Sequence, residues 1–235
     1  MEMWKFVEHL SYTKSQLNLL VILNSLLKGT DMNPNLPQKW KKIRFQKVDI
    51  NKIDERTLIA NLYGTQLIIL IVALVLLLIQ GRNPIALLTP INTQQAILWG
   101  IGLAVVVLLA NSILSRWVPE EIADDGGINE KLFKSRPIWH IALLSLVVAI
   151  CEELLFRGAI QHWLGAYWTS ILFATLHLRY LRHWLMTGLV FSISYGLGWI
   201  YVQSGTIWSP IAAHFLIDFV MGLLIRYQGF SRSQE

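Results

Sequence analysis

Between residues 137 and 225 the sequence carries three acidic side chains, Glu152, Glu153 and Asp218, each inside or at the edge of an apolar run. A carboxylate in hydrocarbon costs at least ~2.5 kcal/mol on insertion scales, so an acid kept there points to function and needs a partner. The spacing offers partners. Glu153 and Arg157 stand four apart on one helix face, where an ion pair neutralises one of two adjacent carboxylates. Glu152 then faces another way, free to point into a bundle. His214 and Asp218 repeat the four-residue spacing on a later segment, and His177 follows Phe173 by one helical turn. One Glu, two His and one Asp in hydrocarbon are groups for acid–base chemistry or for relaying protons.

The elements that must position them are membrane helices. Of 235 residues 54% are hydrophobic and only 15% charged, where a soluble domain carries about 25%. Apolar stretches at 58–79, 94–115, 158–178, 184–203 and 206–225 have the length of spanning helices, about 20 residues each. A sixth begins at Pro137 and runs apolar to Cys151 before meeting Glu152 and Glu153. The expected fold is an all-α, polytopic membrane helical bundle of about six transmembrane helices. Three parts are expected: a basic N-terminal arm (1–57), a transmembrane hairpin (58–115) and a four-helix unit (137–227) bearing the polar residues. Gly188, Ser192 and Gly196 recur every four residues and predict a packing stripe on the fifth span.

With six spans both termini share one side. That side then holds every Lys and Arg except Arg82 and Arg157, half of them in the arm, which predicts cytoplasmic N- and C-termini. Met1 to Leu27 has acids where a secretory signal is basic and no small-residue cleavage site, so the span from Leu58 is expected to act as an uncleaved anchor. A single cysteine, Cys151, excludes an internal disulfide and any multi-Cys metal site.

Three short motifs carry a resemblance. Glu152-Glu153-Leu154-Leu155-Phe156-Arg157 matches the Glu-Glu-x-x-x-Arg signature of the CAAX-protease and bacteriocin-processing (CPBP, Abi) intramembrane endopeptidase family. Phe173-Ala174-Thr175-Leu176-His177 resembles its Phe-x-x-x-His motif, and His214-Phe215-Leu216-Ile217-Asp218 its His-x-x-x-Asn/Asp motif, in the same order. The resemblance implies a hydrolase of peptide bonds within the bilayer, a protease of glutamic type. Glu152 would be general base, His177 would help hold the water, and His214 with Asp218 would stabilise the oxyanion. Glu153, Arg157 and Phe173 would support the site. Asp218 stands where eukaryotic members tend to have Asn; a carboxylate cannot donate to an oxyanion, so Asp218 is expected to orient His214, the donor.

The resemblance implies no cofactor and no metal; zinc held by His177, His214 and a carboxylate is the alternative, although the His-Glu-x-x-His helix of common zinc proteases is absent. The expected partners are a peptide or membrane-protein substrate and the lipid bilayer, with no nucleic acid, in a bacterial plasma membrane. Two other classes compete. A non-catalytic binding or bacteriocin-immunity protein of the same fold would let the motif positions decay, yet all are present. A proton-coupled transporter would show inverted repeats or paired broken helices, and the sequence has neither. The bland readings are an interfacial ion-pair network for Glu152, Glu153 and Arg157, and an interhelical hydrogen bond for His214 and Asp218.

Overall fold

The computed structural model describes residues 54–89, 93–117, 127–177, 181 and 184–231, without the side chains of 93 and 228–231. Most of the expected N-terminal arm, together with Arg179 and Arg182, lies outside the described residues. All described elements are helical: α1 (Glu55–Ile79), α2 (Pro84–Leu88), α3 (Thr93–Leu114), α4 (Ile128–Phe133), α5 (Ile138–Glu153), a π-helix (Leu154–Ile160), α6 (Gln161–Leu176), α7 (Trp184–Ser204) and α8 (Trp208–Ser231). In hydrocarbon each backbone N–H and C=O must be satisfied within the segment, and a helix does this. Asn83 starts the short α2, accepting from the N–H groups of Ile85 and Ala86 at 2.9 and 3.4 Å, with Pro84 at its first position.

Among the described residues five helical runs are long and apolar enough to cross a membrane, and the third spans Ile138–Leu176, 39 residues. Straight, it would be about 58 Å long, nearly twice a ~30 Å hydrocarbon core. It is not straight. At Gly165 the backbone leaves the helix, with φ 72° and ψ 170°. The rings of Phe156 and Phe173 then lie 4.7 Å apart between centroids, although 17 residues of straight helix would separate them by about 25 Å. The chain therefore reverses at Gly165. The sequence reading broke this run near Arg157 and Gly158. The turn lies further along, and Arg157 belongs to the interior.

The reversal explains why both ends of the described chain meet. Arg136, just before α5, forms an ion pair with Glu55 at the start of α1, 3.0 Å, and its carbonyl accepts from Arg226 near the end of α8. Five uninterrupted crossings would put Glu55 and Arg226 at opposite ends of the bundle. At the other end Arg82 donates to Gly158 O, Gln80 to Ala159 O at 2.9 Å, and the Trp208 indole to Leu88 O at 2.9 Å.

The run 138–176 forms the centre, with 44% of its most apolar window buried against 17% for α1 and 11% for α3. The first two spans, expected as a hairpin, take different partners: α1 lies against α5 and the π-helix, α3 against α8 and α7. Their apolar outer faces, including Leu67, Ile68, Ile71, Leu98, Val106 and Leu109, are exposed, as lipid-facing residues are. The expected stripe on α7 is also displaced. Gly188 has open space where a side chain would sit, and Gly196 meets Leu103. Closest approach occurs instead at Gly198, where a Cβ would lie 2.7 Å from Gln161 Oε1 and 3.1 Å from Ala166.

Candidate active site

The site is assembled from the end of α5, the π-helix, the end of α6 and the middle of α8. Its foundation is Arg157, fully buried in the π-helix. Arg157 Nε stands 3.1 Å from Glu153 Oε2, both side chains 0% exposed; charge rather than a linear hydrogen bond holds this contact. The other arm of the guanidinium donates to Ser194 O at 2.9 Å and Ser194 Oγ at 3.1 Å on α7. Its plane lies near the faces of Phe156 and Phe173, 5.9 and 5.4 Å from their centroids. One turn on, Gln161 Nε2 donates to Gly198 O at 3.0 Å. Such π segments occur often at functional sites, and here all of residues 154–159 are buried.

Glu153 also does what the sequence reading did not assign. Its Oε1 lies 2.7 Å from His214 Nδ1 on α8, so the carboxylate joins the end of α5 to α8 as well as balancing Arg157. His214 Nε2 faces Asp218 Oδ2 at 3.4 Å, the pair expected from their spacing. Both ring nitrogens of His214 thus face carboxylate acceptors, the arrangement of an imidazolium with two N–H donors. Glu153 is the tight, buried partner. Asp218 is the loose one, its side chain 36% exposed.

His177 ends α6, with φ −82° and ψ 59°. Its Nδ1 lies 2.8 Å from Phe173 O, one of the carbonyls a helix terminus leaves without an intrahelical donor. A carbonyl accepts only, so Nδ1 carries the proton and Nε2 is the nitrogen left for other contacts. The Phe173 ring covers His177 at 4.4 Å between centroids, tilted by 30°, and presents an edge contact to His214 at 6.5 Å. One aromatic side chain thereby packs against His177, His214 and Arg157 together.

Glu152 is half-buried and lies within electrostatic range of His214, His177, Asp218 and Glu153. Its Oε1 accepts from Gln66 Nε2 on α1 at 3.4 Å. All four residues expected to carry chemistry are therefore brought into one neighbourhood, with Glu153, Arg157 and Phe173 beneath them. Sequence reasoning missed Gln66, Ser194 and the Glu153–His214 contact. The signal for Gln66 was a neutral amide in the first span, and Ser194 had only its small size to mark it.

Comparison with known protein families covers the same stretch of the chain. A family model described as type II CAAX prenyl endopeptidase Rce1-like matches residues 134–220, the stretch that holds every residue above except Gln66. YpbD of Bacillus subtilis (strain 168), an uncharacterized protein, is 39% identical over 173 residues, covering 73% of this chain and 92% of YpbD. No solved structure matches the chain. With a relative that similar over nearly its whole length and the family's region coinciding with the charged cluster, the chain belongs to the type II CAAX prenyl endopeptidase Rce1-like family.

Proposed function

We propose that this protein is an intramembrane endopeptidase that hydrolyses a peptide bond with a water activated by Glu152 and His177. The observation that carries the reading is the meeting of Glu152 with His177, His214 and Asp218 from three helices inside an apolar bundle. In this mechanism the lone pair of His177 Nε2 and the Glu152 carboxylate hold the water. As the water oxygen attacks the substrate carbonyl carbon, Glu152 takes its proton. The electrons of the carbonyl bond move to its oxygen, and His214, held from behind by Glu153, donates to that oxyanion through Nε2. Asp218, the long and exposed contact, gives way to the substrate. Collapse of the intermediate breaks the C–N bond, and the proton on Glu152 passes to the leaving amine.

Zinc is the alternative: with Nδ1 of His214 turned to Glu153, a neutral ring would offer Nε2 beside Asp218, but among the described residues no three His, Cys, Asp or Glu side chains are grouped to hold a metal ion. The proposed mechanism uses no metal. The substrate is proposed to be a peptide or membrane protein, reaching the site from the side where Asp218 and Glu152 are accessible.

The test is Glu152→Gln, which keeps size and removes the base. Proteomic comparison of membranes holding wild type or variant should reveal a substrate that persists uncut, with its cleavage reduced at least ~100-fold, while insertion and melting are unchanged. Activity of the purified protein should survive strong chelation. Retained biological function in Glu152→Gln would instead favour a binding or immunity protein, and activity lost on chelation and restored by Zn(II) would overturn the metal-free mechanism.

A further inference from the structure

We propose that Gln66, on the first span and outside the region the family shares, is a positioning residue of the hydrolytic site that holds Glu152 through one oxygen. This rests on the reading of Glu152 as the base. Gln66 is 6% exposed on a helix whose neighbouring Leu67, Ile68, Ile71 and Val72 are exposed apolar residues. A residue facing inward from such a helix would pack best as an aliphatic one. An amide there must find partners, and its Nε2 finds Glu152 Oε1 at 3.4 Å. The orientation of the amide follows from charge, because its oxygen would repel an ionised carboxylate. The distance is long for a hydrogen bond to a charged acceptor, as such contacts often are before substrate binds.

Two consequences follow from the geometry. The donor fixes one oxygen of Glu152, leaving the other for the water among His177, His214 and Asp218. The Gln66 Oε1, buried and accepting from no described protein group, remains beside the carboxylate as an acceptor for that water's second proton. Other titratable groups near Glu152 come from α5, the π-helix, the end of α6 and α8, namely Glu153, Arg157, His177, His214 and Asp218. Gln66 is the neutral contact, contributed by α1.

The test uses the full-length protein with Gln66→Met, which keeps length without a donor, and Gln66→Asn, which keeps the amide on a shorter stem. The cleavage reporter is whichever protein persists uncut in Glu152→Gln membranes. The expected result for Gln66→Met is an unchanged melting temperature, KM within about twofold of wild type, and kcat lower by about tenfold or more; Gln66→Asn should fall between the two. A substrate-independent readout is labelling of Glu152 by dicyclohexylcarbodiimide, which attacks protonated carboxyls in apolar surroundings. Without its donor the charged form loses a hydrogen bond, so Glu152 should label faster in Gln66→Met. Wild-type kcat and labelling rate in Gln66→Met would overturn this role and leave the endopeptidase reading standing. Should Gln66→Met not fold, Gln66→Asn with wild-type kcat and labelling would overturn it equally. Undiminished cleavage by Glu152→Gln would remove the endopeptidase mechanism itself, while unchanged labelling in Gln66→Met would separately deny the contact.

Discussion

Removing the Arg157 side chain should be among the most damaging single changes to this fold. Arg157 and Glu153 are both 0% exposed and 3.1 Å apart, so Arg157→Ala leaves a carboxylate in the interior whose other contact is His214 at 2.7 Å. Breaking a buried pair from one side costs about 3–5 kcal/mol. The change also strips Ser194 O and Oγ of a charged donor and empties the space between two phenyl faces, so the upper part of that range is expected. For a chain of this size each kcal/mol moves the melting temperature by roughly 2–4 °C, so the upper part of the range gives a fall of about 8–20 °C. Intrinsic fluorescence from the 10 tryptophans can follow thermal unfolding in detergent. The double change Glu153→Gln with Arg157→Met removes both charges and should recover part of the loss, because an apolar replacement of a whole buried pair is often neutral. Melting of Arg157→Ala within about 2 °C of wild type would refute the reasoning, since a pair costing that little cannot be enclosed and desolvated as described.

Three further outcomes are expected. Gly198→Val, whose Cβ would stand 2.7 Å from Gln161 Oε1, should force α7 away from α6 and cost about 1–3 kcal/mol, read as a lower melting temperature and yield. Gly165→Ala places a Cβ at φ 72° and ψ 170°, a region essentially reserved for glycine, and should cost about 1–3 kcal/mol; melting equal to wild type would show that the reversal does not need that conformation. Reporter fusions after Glu235 and within 116–136 should read cytoplasmic, and those within 80–93 or 204–207 external, so an external C-terminus would sink the proposed orientation.

The site was legible in the sequence where its contacts run along one helix. Glu153 with Arg157 and His214 with Asp218 are spaced by one turn, and spacing alone predicts that each pair meets. Contacts between helices left no such trace. Nothing in the order of residues says that Glu153 reaches His214, 61 positions away, or that Gln66 reaches Glu152 across 86. The fold was legible through apolar length, and the misplaced reversal shows how that signal fails. A charged residue in an apolar run looks like the end of a span, so Arg157 drew the boundary toward itself. Because Glu153 balances its charge and Ser194 accepts from one arm of the guanidinium, Arg157 instead sits in the interior, and the turn falls at Gly165, which apolarity alone does not mark.

Charge bookkeeping along the assembled residues gives the arrangement its logic. From the buried Ser194 a continuous series runs through Arg157, Glu153 and His214 to the partly accessible Asp218, crossing α7, the π-helix, the end of α5 and α8. With His214 carrying two N–H groups, the signs alternate along it and sum to zero, which is how a polar series can persist in hydrocarbon. Glu152 stands beside this series rather than in it. A cation placed directly on Glu152 would stabilise its charge and blunt it as a base, whereas His177, stacked on Phe173 and protonated on Nδ1, takes part in the proposed mechanism as a neutral ring. The neutral amide of Gln66 is the same kind of neighbour: it can fix the carboxylate in place without neutralising it. Adjacent glutamates thus take different parts, Glu153 set between Arg157 and His214 and Glu152 contacted by the amide of Gln66, with His214 and His177 within electrostatic range.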